Sequence, residues 1–266
     1  MRTTIAIAGL GWLGIPLAQK LIMQGYLVKG SVTTVKKATM LQVKGLDAYA
    51  VQVTEKGVLG APQGFLKNAE ILIIMIPPGL RRNSGADYVS KMSHFLKEVQ
   101  SSDVSKVVFI SSTSVYGDAQ DKVTESDLPQ PENEAGRQLL KAEQLFFNAP
   151  DLQTSIVRFG GLYGGSRQPV KYLAGRKDLN GGNAPVNLIH RDHCVGIISE
   201  IIKQQCFGHV FNAVHPSHPK KKNYYAAQAE VLNLEVPLFL DDNAVYKQVD
   251  SKNLQEILGY TFKSEL

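Results

Sequence analysis

The sequence predicts an α/β fold, a doubly wound parallel sheet followed by a small C-terminal lobe. Three observations carry this expectation. Continuous apolar runs of strand length, such as Ile71 to Ile76 and Lys106 to Ile110, alternate with stretches of helical spacing, the pattern of a parallel sheet covered on both faces. A glycine cluster follows directly on the first strand-like run. Composition is ordinary, with 44% hydrophobic and 20% charged residues among 266, so a core of normal size forms without disulfides or metal.

Taken in order, Thr3 to Ala8 is a short β-rich run, and Leu13, Leu17 and Leu21 mark a helix that continues to Met23. A strand over Tyr26 to Val32, a helix over Val35 to Val43 and a strand over Tyr49 to Val53 continue the alternation. The run Ile71 to Ile76 stops at Pro77-Pro78 and leads to a helix over Ala86 to Gln100. Lys106 to Ile110, a helix over Asn133 to Phe147 and the strand Ser155 to Phe159 complete a first domain over residues 1–160. Beyond Gly160 the texture turns to glycine-rich loops, then a helix over Asp192 to Gln204 and a strand near 209–214 that returns to the main sheet. Residues 161–266 otherwise read as a smaller lobe for substrate.

Gly9-Leu10-Gly11-Trp12-Leu13-Gly14 is a GxGxxG between a strand and a helix, the context in which that motif reports dinucleotide binding in a Rossmann fold. Gly9 permits the tight turn, Gly11 lets backbone approach a pyrophosphate, and Gly14 allows close helix packing, while the helix N-terminus offers free N–H groups. Leu13 and Trp12 belong to the loop; Trp12, the single tryptophan, reads as packing against it, with cofactor contact as the alternative. About twenty residues after the first glycine an NAD-selective site carries an acid for the ribose hydroxyls. Here the chain reads Lys29 to Lys37 without one, and Ser31, Thr33 and Lys36 are available for a 2′-phosphate. The expected cofactor is NADP(H) over NAD(H).

Ile110 to Asp118, with its Ser111-Ser112-Thr113-Ser114-Val115-Tyr116-Gly117 core, resembles the serine loop of the extended short-chain dehydrogenase/reductases, the NAD-dependent epimerases and dehydratases. Val157 to Gly165, Asn187 to Asp192 and Val210-Phe211-Asn212 resemble later segments of the same family, in family order. The resemblance implies Ser112 as the catalytic serine and Ser111 beside the cofactor. It implies Tyr116 as a substrate-pocket residue that could also donate a proton, and Arg158 as a substrate contact; Arg167, by its place after Gly165, is a candidate anion contact for substrate at the cleft mouth. Residues Ile76, Pro77 and Pro78 replace the family's alanine-rich segment and are expected to wall the nicotinamide side. Two departures mark an atypical member. The loop has Ala8 where the family has its first glycine, and the YxxxK pair is missing, with Ala135 and Leu139 in its register. In that pair the Lys lowers the Tyr pKa so that a phenol can relay a proton. The loop and the Ile-Pro-Pro also suit hydroxyacid dehydrogenases, but the strand and loop segments after Arg158 do not fit their helical second half.

The net charge of +5 comes from scattered bases, and Lys220-Lys221-Lys222 is too short for a nucleic-acid groove. No run is long enough to span a bilayer, and Thr3 opens a strand pattern rather than a leader. Cys194 and Cys206, without a CxxC, fit free thiols in a cytoplasmic protein. His190, His193 and Cys194 lack a second ligand cluster, so no metal is expected. Arg81 and Arg82 are further candidate anion contacts at the cleft mouth. The resemblance adds a homodimer through the helices over 86–100 and 133–147. Function reads as an NADP(H)-dependent oxidoreductase or epimerase-like enzyme on a small or nucleotide-linked substrate; the alternative is a non-catalytic NADP(H)-binding sensor or scaffold.

Overall fold

The computed structural model describes residues 2–79, 87–240, 245–263 and 266. Arg81, Arg82 and Ala86, the expected helix start, lie outside them. The first half runs β1 (Thr4–Ala8), α1 (Gly14–Met23), β2 (Leu27–Val32), α2 (Val35–Val43), β3 (Asp47–Thr54), β4 (Gly57–Gly60), α3 (Pro62–Leu66) and β5 (Ile71–Ile74). There follow α4 (Tyr88–Gln100), β6 (Lys106–Ser112), β7 (Lys122–Val123), α5 (Glu134–Phe147) and β8 (Gln153–Phe159). The remainder is β9 (Gly161–Tyr163), β10 (Leu188–His190), α6 (Arg191–Lys203), β11 (Val210–Ala213), α7 (Lys221–Val231), β12 (Gln248–Val249) and α8 (Lys252–Glu256).

Eight strands form the main sheet in the order β11-β8-β6-β5-β1-β2-β3-β4. All neighbours are parallel except β3 and β4, which make an antiparallel edge hairpin. Every residue of β5 is buried because helices cover both faces. On one face α1 buries Gly14, Leu17, Ala18 and Leu21 at helical spacing and packs on α6. On the other, α4 and α5 lie together and bury Met92, Phe95, Leu139 and Phe146 among others. Both helices start on a capping side chain, Asp87 accepting from the Ser90 N–H and Asn133 from the Gly136 N–H, each at 2.8 Å.

β1 is the pivot of this order. β2 pairs on one side and β5 on the other, Ala8 standing opposite Ser31 and Ile74, so the chain reverses its winding at the carboxyl end of β1. A crevice outside the strand ends at such a reversal is where ligands bind in open α/β sheets. The C-terminal half adds β11 to the sheet edge with α8 packed on it. Two small parallel pairs, β9 with β10 and β7 with β12, cover the crevice end. Among the described residues no helix is long and apolar enough to cross a membrane, and no group of three or more His, Cys, Asp or Glu could hold a metal.

Candidate functional site

The glycine loop caps the carboxyl end of β1. Gly9 has φ +123°, and a Cβ there would sit 3.2 Å from the Met75 carbonyl oxygen. A Cβ on Gly14 would lie 2.1 Å from the Gly9 carbonyl oxygen, so only glycine lets α1 start this close to the loop. The missing Cβ of Gly11, by contrast, faces open space, with nothing within 4 Å. Leu13 precedes α1 without a capping side chain; the Ile15 N–H already donates to the Gly11 carbonyl at 3.1 Å and Pro16 has no N–H, so the Gly14 N–H is the first-turn group left for a ligand. The loop is pinned to β2 by the Leu10 N–H donating to the Ser31 carbonyl at 2.8 Å. Gly30 makes that fit possible, since its Cβ would meet Leu10 Cδ1 at 2.3 Å. Sequence reasoning missed Gly30; a glycine inside a strand pattern, the sign of a close approach, was its only signal.

At the end of β2, Ser31 is buried, and Thr33, Lys36 and Lys37 are exposed. Thr34 caps α2, its Oγ1 accepting from the Lys37 N–H at 3.3 Å. Lys29 is occupied elsewhere, its Nζ donating to the carbonyls of Gly64 and Lys67.

A cavity of about 460 Å³ opens beside the loop. Leu13, residues 75–78, residues 110–114, Leu139, residues 159–162, Arg167 and Lys247 line it. A second cavity of about 340 Å³ lies beside it, and Thr113, Gly161 and Lys247 line both. Ile76, Pro77, Pro78, Ser111, Ser112 and Arg167 are thus brought to one cleft. Ser112 Oγ accepts from the Ser114 N–H at 3.2 Å and caps the turn that follows β6.

Tyr116 and Arg158 do not join them, and both expectations are corrected. Arg158 is 5% exposed and Glu143 3%; their ion pair closes at 2.7 Å between Nη2 and Oε2, with Nε within 3.2 Å of both carboxylate oxygens. Ser111 Oγ donates to the same carboxylate. Arg158 Nη1 donates to the Tyr116 hydroxyl at 2.7 Å, and that hydroxyl lies 3.1 Å from both the Thr124 carbonyl and Asn212 Oδ1. Burial pushes the Tyr116 phenol up, offset in part by Arg158. A phenol so buried and fully bonded is a brace for the serine loop, and Arg158 neutralises Glu143 instead of meeting substrate. Tyr116→Phe is expected to lower stability by about 1–3 kcal/mol, because it leaves buried partners unsatisfied. Urea unfolding checks this, and a variant as stable as the parent would restore the question of a solvent-facing phenol.

Trp12 is half-buried, with the guanidinium carbons of Arg167 and Arg191 at 5.7 and 5.5 Å from its ring centre. It packs against these arginines, and its Nε1 is buried without an acceptor among the described residues.

No protein-family model matches the chain. Protein YeeZ of Escherichia coli K12 is 32% identical over 264 residues, which is 97% of this chain and 95% of YeeZ. The chain belongs to the YeeZ family. In structure it is similar to a conserved protein of unknown function from Silicibacter pomeroyi, with TM-score 0.80 and 22% identity over 98% of this chain and 94% of that one. It is also similar to UDP-glucuronic acid 4-epimerase from Bacillus cereus in complex with NAD, with TM-score 0.80 and 16% identity over 99% and 92% of the two chains. The fold is shared with that epimerase, a doubly wound sheet as the motif order indicated.

Leu139 of α5, which the sequence resemblance puts in register with the short-chain dehydrogenase Lys, lines the cleft beside the serine loop. Gly136 brings α5 so close to that loop that a Cβ would be 2.4 Å from the Ser114 carbonyl. A different lysine reaches the cleft. Lys247, from the C-terminal lobe, donates to the Tyr116 carbonyl at 2.7 Å, pairs with Asp118 at 3.2 Å and lines both cavities. Sequence reasoning missed it, because its place is set by contacts with a segment about 130 residues earlier.

Proposed function

We propose that this protein binds a nicotinamide dinucleotide, NADP(H) over NAD(H), on the Gly9 to Gly14 loop. In the adjoining cleft it acts as an epimerase/dehydratase-like oxidoreductase on a small or nucleotide-linked substrate. The observation that carries the reading is Gly11: its side-chain position is open space, beside an uncapped helix start, at the point where the sheet reverses. The NAD complex of the Bacillus cereus epimerase, similar over nearly the whole chain, supports the cofactor class.

A bound nicotinamide supplies hydride transfer. The chain's own residues supply the rest. Gly11 admits a pyrophosphate, and the Gly14 N–H at the start of α1 hydrogen-bonds it. Thr33 follows β2 and Lys36 lies in the first turn of α2, both exposed, Ser31 is buried at the strand end, and no carboxylate stands in that stretch, which favours a 2′-phosphate over a bare ribose. Residues 76–78 form one wall of the cleft, where two prolines fix the backbone. Ser112 offers a hydroxyl to orient a substrate carbonyl or alcohol, and Lys247, paired with Asp118, lines both cavities.

Ala135 and Leu139 favour a second reading, an NADP(H)-binding sensor or scaffold without turnover, since neither side chain moves a proton. A cleft lined by both Ser112 and Lys247 supports the enzyme. Titration calorimetry with NADPH and NADH is the test. NADPH is expected to bind at least about tenfold tighter. NADH binding as well or better overturns the preference, and binding of neither overturns the dinucleotide reading. Where a substrate is found, unchanged turnover in Ser112→Ala removes Ser112 from the mechanism.

A further inference from the structure

The chain brings two arginines to the phosphate loop from outside the Rossmann half. The turn after β9 carries Gly164 at φ +106° and Gly165 at φ +54°. A Cβ on Gly164 would lie 2.2 Å from His190 Nε2, and one on Gly165 would lie 2.6 Å from Arg191 Nη1. The glycine pair therefore lets this turn ride directly over the start of α6. The turn is closed by reciprocal backbone bonds of 2.9 and 3.0 Å between Gly164 and Arg167. Its last residue, Arg167, and the first residue of α6, Arg191, thereby converge on the ring of Trp12, between Gly11 and Leu13 of the loop.

This cluster is rich in donors and poor in acceptors. Arg167 is exposed, lines the cleft with Leu13 and residues 75–78, and meets no carboxylate among the described residues. Arg191 has Asp192 Oδ1 at 3.7 Å, but its Nε is buried without a hydrogen-bond acceptor among the described residues, as is Trp12 Nε1. An indole face holds guanidinium planes by cation–π attraction and so limits the freedom they would lose on binding an anion. Guanidinium N–H pairs match phosphate oxygens in geometry and charge.

We propose that Arg167 and Arg191, stacked on Trp12, form a cationic clamp for the pyrophosphate of the bound dinucleotide, contributed by the C-terminal half of the chain. This rests on the dinucleotide reading of the glycine loop and adds to it the charge that a loop of backbone N–H groups lacks. Trp12 is then a positioning residue, holding the arginines without touching cofactor.

The experiment is calorimetric titration of the full-length protein, Arg167→Met, Arg191→Met and the double variant with NADPH, in the presence and absence of inorganic pyrophosphate. Each single variant is expected to weaken NADPH about tenfold, with the double weaker than either. Pyrophosphate competes with NADPH on the parent and not on the double variant. Arg191→Lys, which keeps the charge, controls for loss of packing and is expected to recover part of the affinity. Thermal unfolding is read alongside; Arg167 is exposed, so its variant melts like the parent. NADPH affinity unchanged in both single variants overturns the clamp and leaves the dinucleotide site standing. A parent protein that binds neither NADPH nor NADH overturns the dinucleotide site and the clamp with it.

Discussion

Gly11→Val is expected to fold like the parent and lose NADPH binding by more than about a hundredfold. The two halves of that expectation come from one fact, the open space where the Gly11 Cβ would be. Nothing in the protein is displaced by a side chain there, so stability stays within about 0.5 kcal/mol. A branched side chain does fill the space over which a pyrophosphate must pass to reach the first turn of α1. Gly14→Ala is the contrast. Its Cβ would stand 2.1 Å from the Gly9 carbonyl oxygen, a backbone atom that can move only with the loop. That variant is expected to lose about 1–3 kcal/mol of stability as well as binding. Thermal unfolding and NADPH titration on both variants separate the two effects. A Gly11→Val protein that binds NADPH as the parent does would show that the loop only connects β1 to α1.

The glycine loop was legible because its constraints are local. A positive φ at Gly9 and a close approach at Gly14 exclude every other residue type, and the exclusion shows in the sequence as fixed spacing. The strands were legible for a similar reason: β5, buried on both faces, admits only apolar residues over its whole length. What was not legible depends on partners far along the chain. β4 is half-exposed, bounded by glycines and held by pairing with β3, so it carries no apolar signature. β9 and β10 are three residues each and find one another across a long loop. Arg158 follows an apolar run like many a strand-end contact residue, and nothing beside it shows that Glu143 waits on α5. Tyr116 was misplaced by the same blindness, since its hydroxyl is claimed by Arg158, Thr124 and Asn212 from three other segments. Resemblance gave the cleft its outline, and the buried partners decided which side chains face it.

Glu143→Ala is expected to cost about 3–5 kcal/mol, the largest stability loss among these variants. Arg158 stays charged whatever surrounds it, and without Glu143 its guanidinium is buried against the neutral Tyr116 hydroxyl alone. Ser111 loses its acceptor in the same stroke. The loss is therefore that of an orphaned charge, which exceeds what the intact pair contributes over an apolar replacement of similar volume. Two further variants separate those quantities. Glu143→Gln keeps an acceptor for Ser111 and the shape of the carboxylate, and falls between parent and alanine. Combining Glu143→Leu with Arg158→Met removes both charges and recovers much of the stability lost in Glu143→Ala. The network also joins β6, α5 and β8, the elements that carry Ser112, Leu139 and Phe159 into the cleft. Loosening it is expected to weaken NADPH binding in Glu143→Ala more than in the double variant, although neither residue lines the cleft. Urea unfolding and NADPH titration of the three variants test the chain of cause. A Glu143→Ala protein within about 1 kcal/mol of the parent would mean that Arg158 finds water or another acceptor, and that the cleft is held by packing of Leu139 and Phe146 alone.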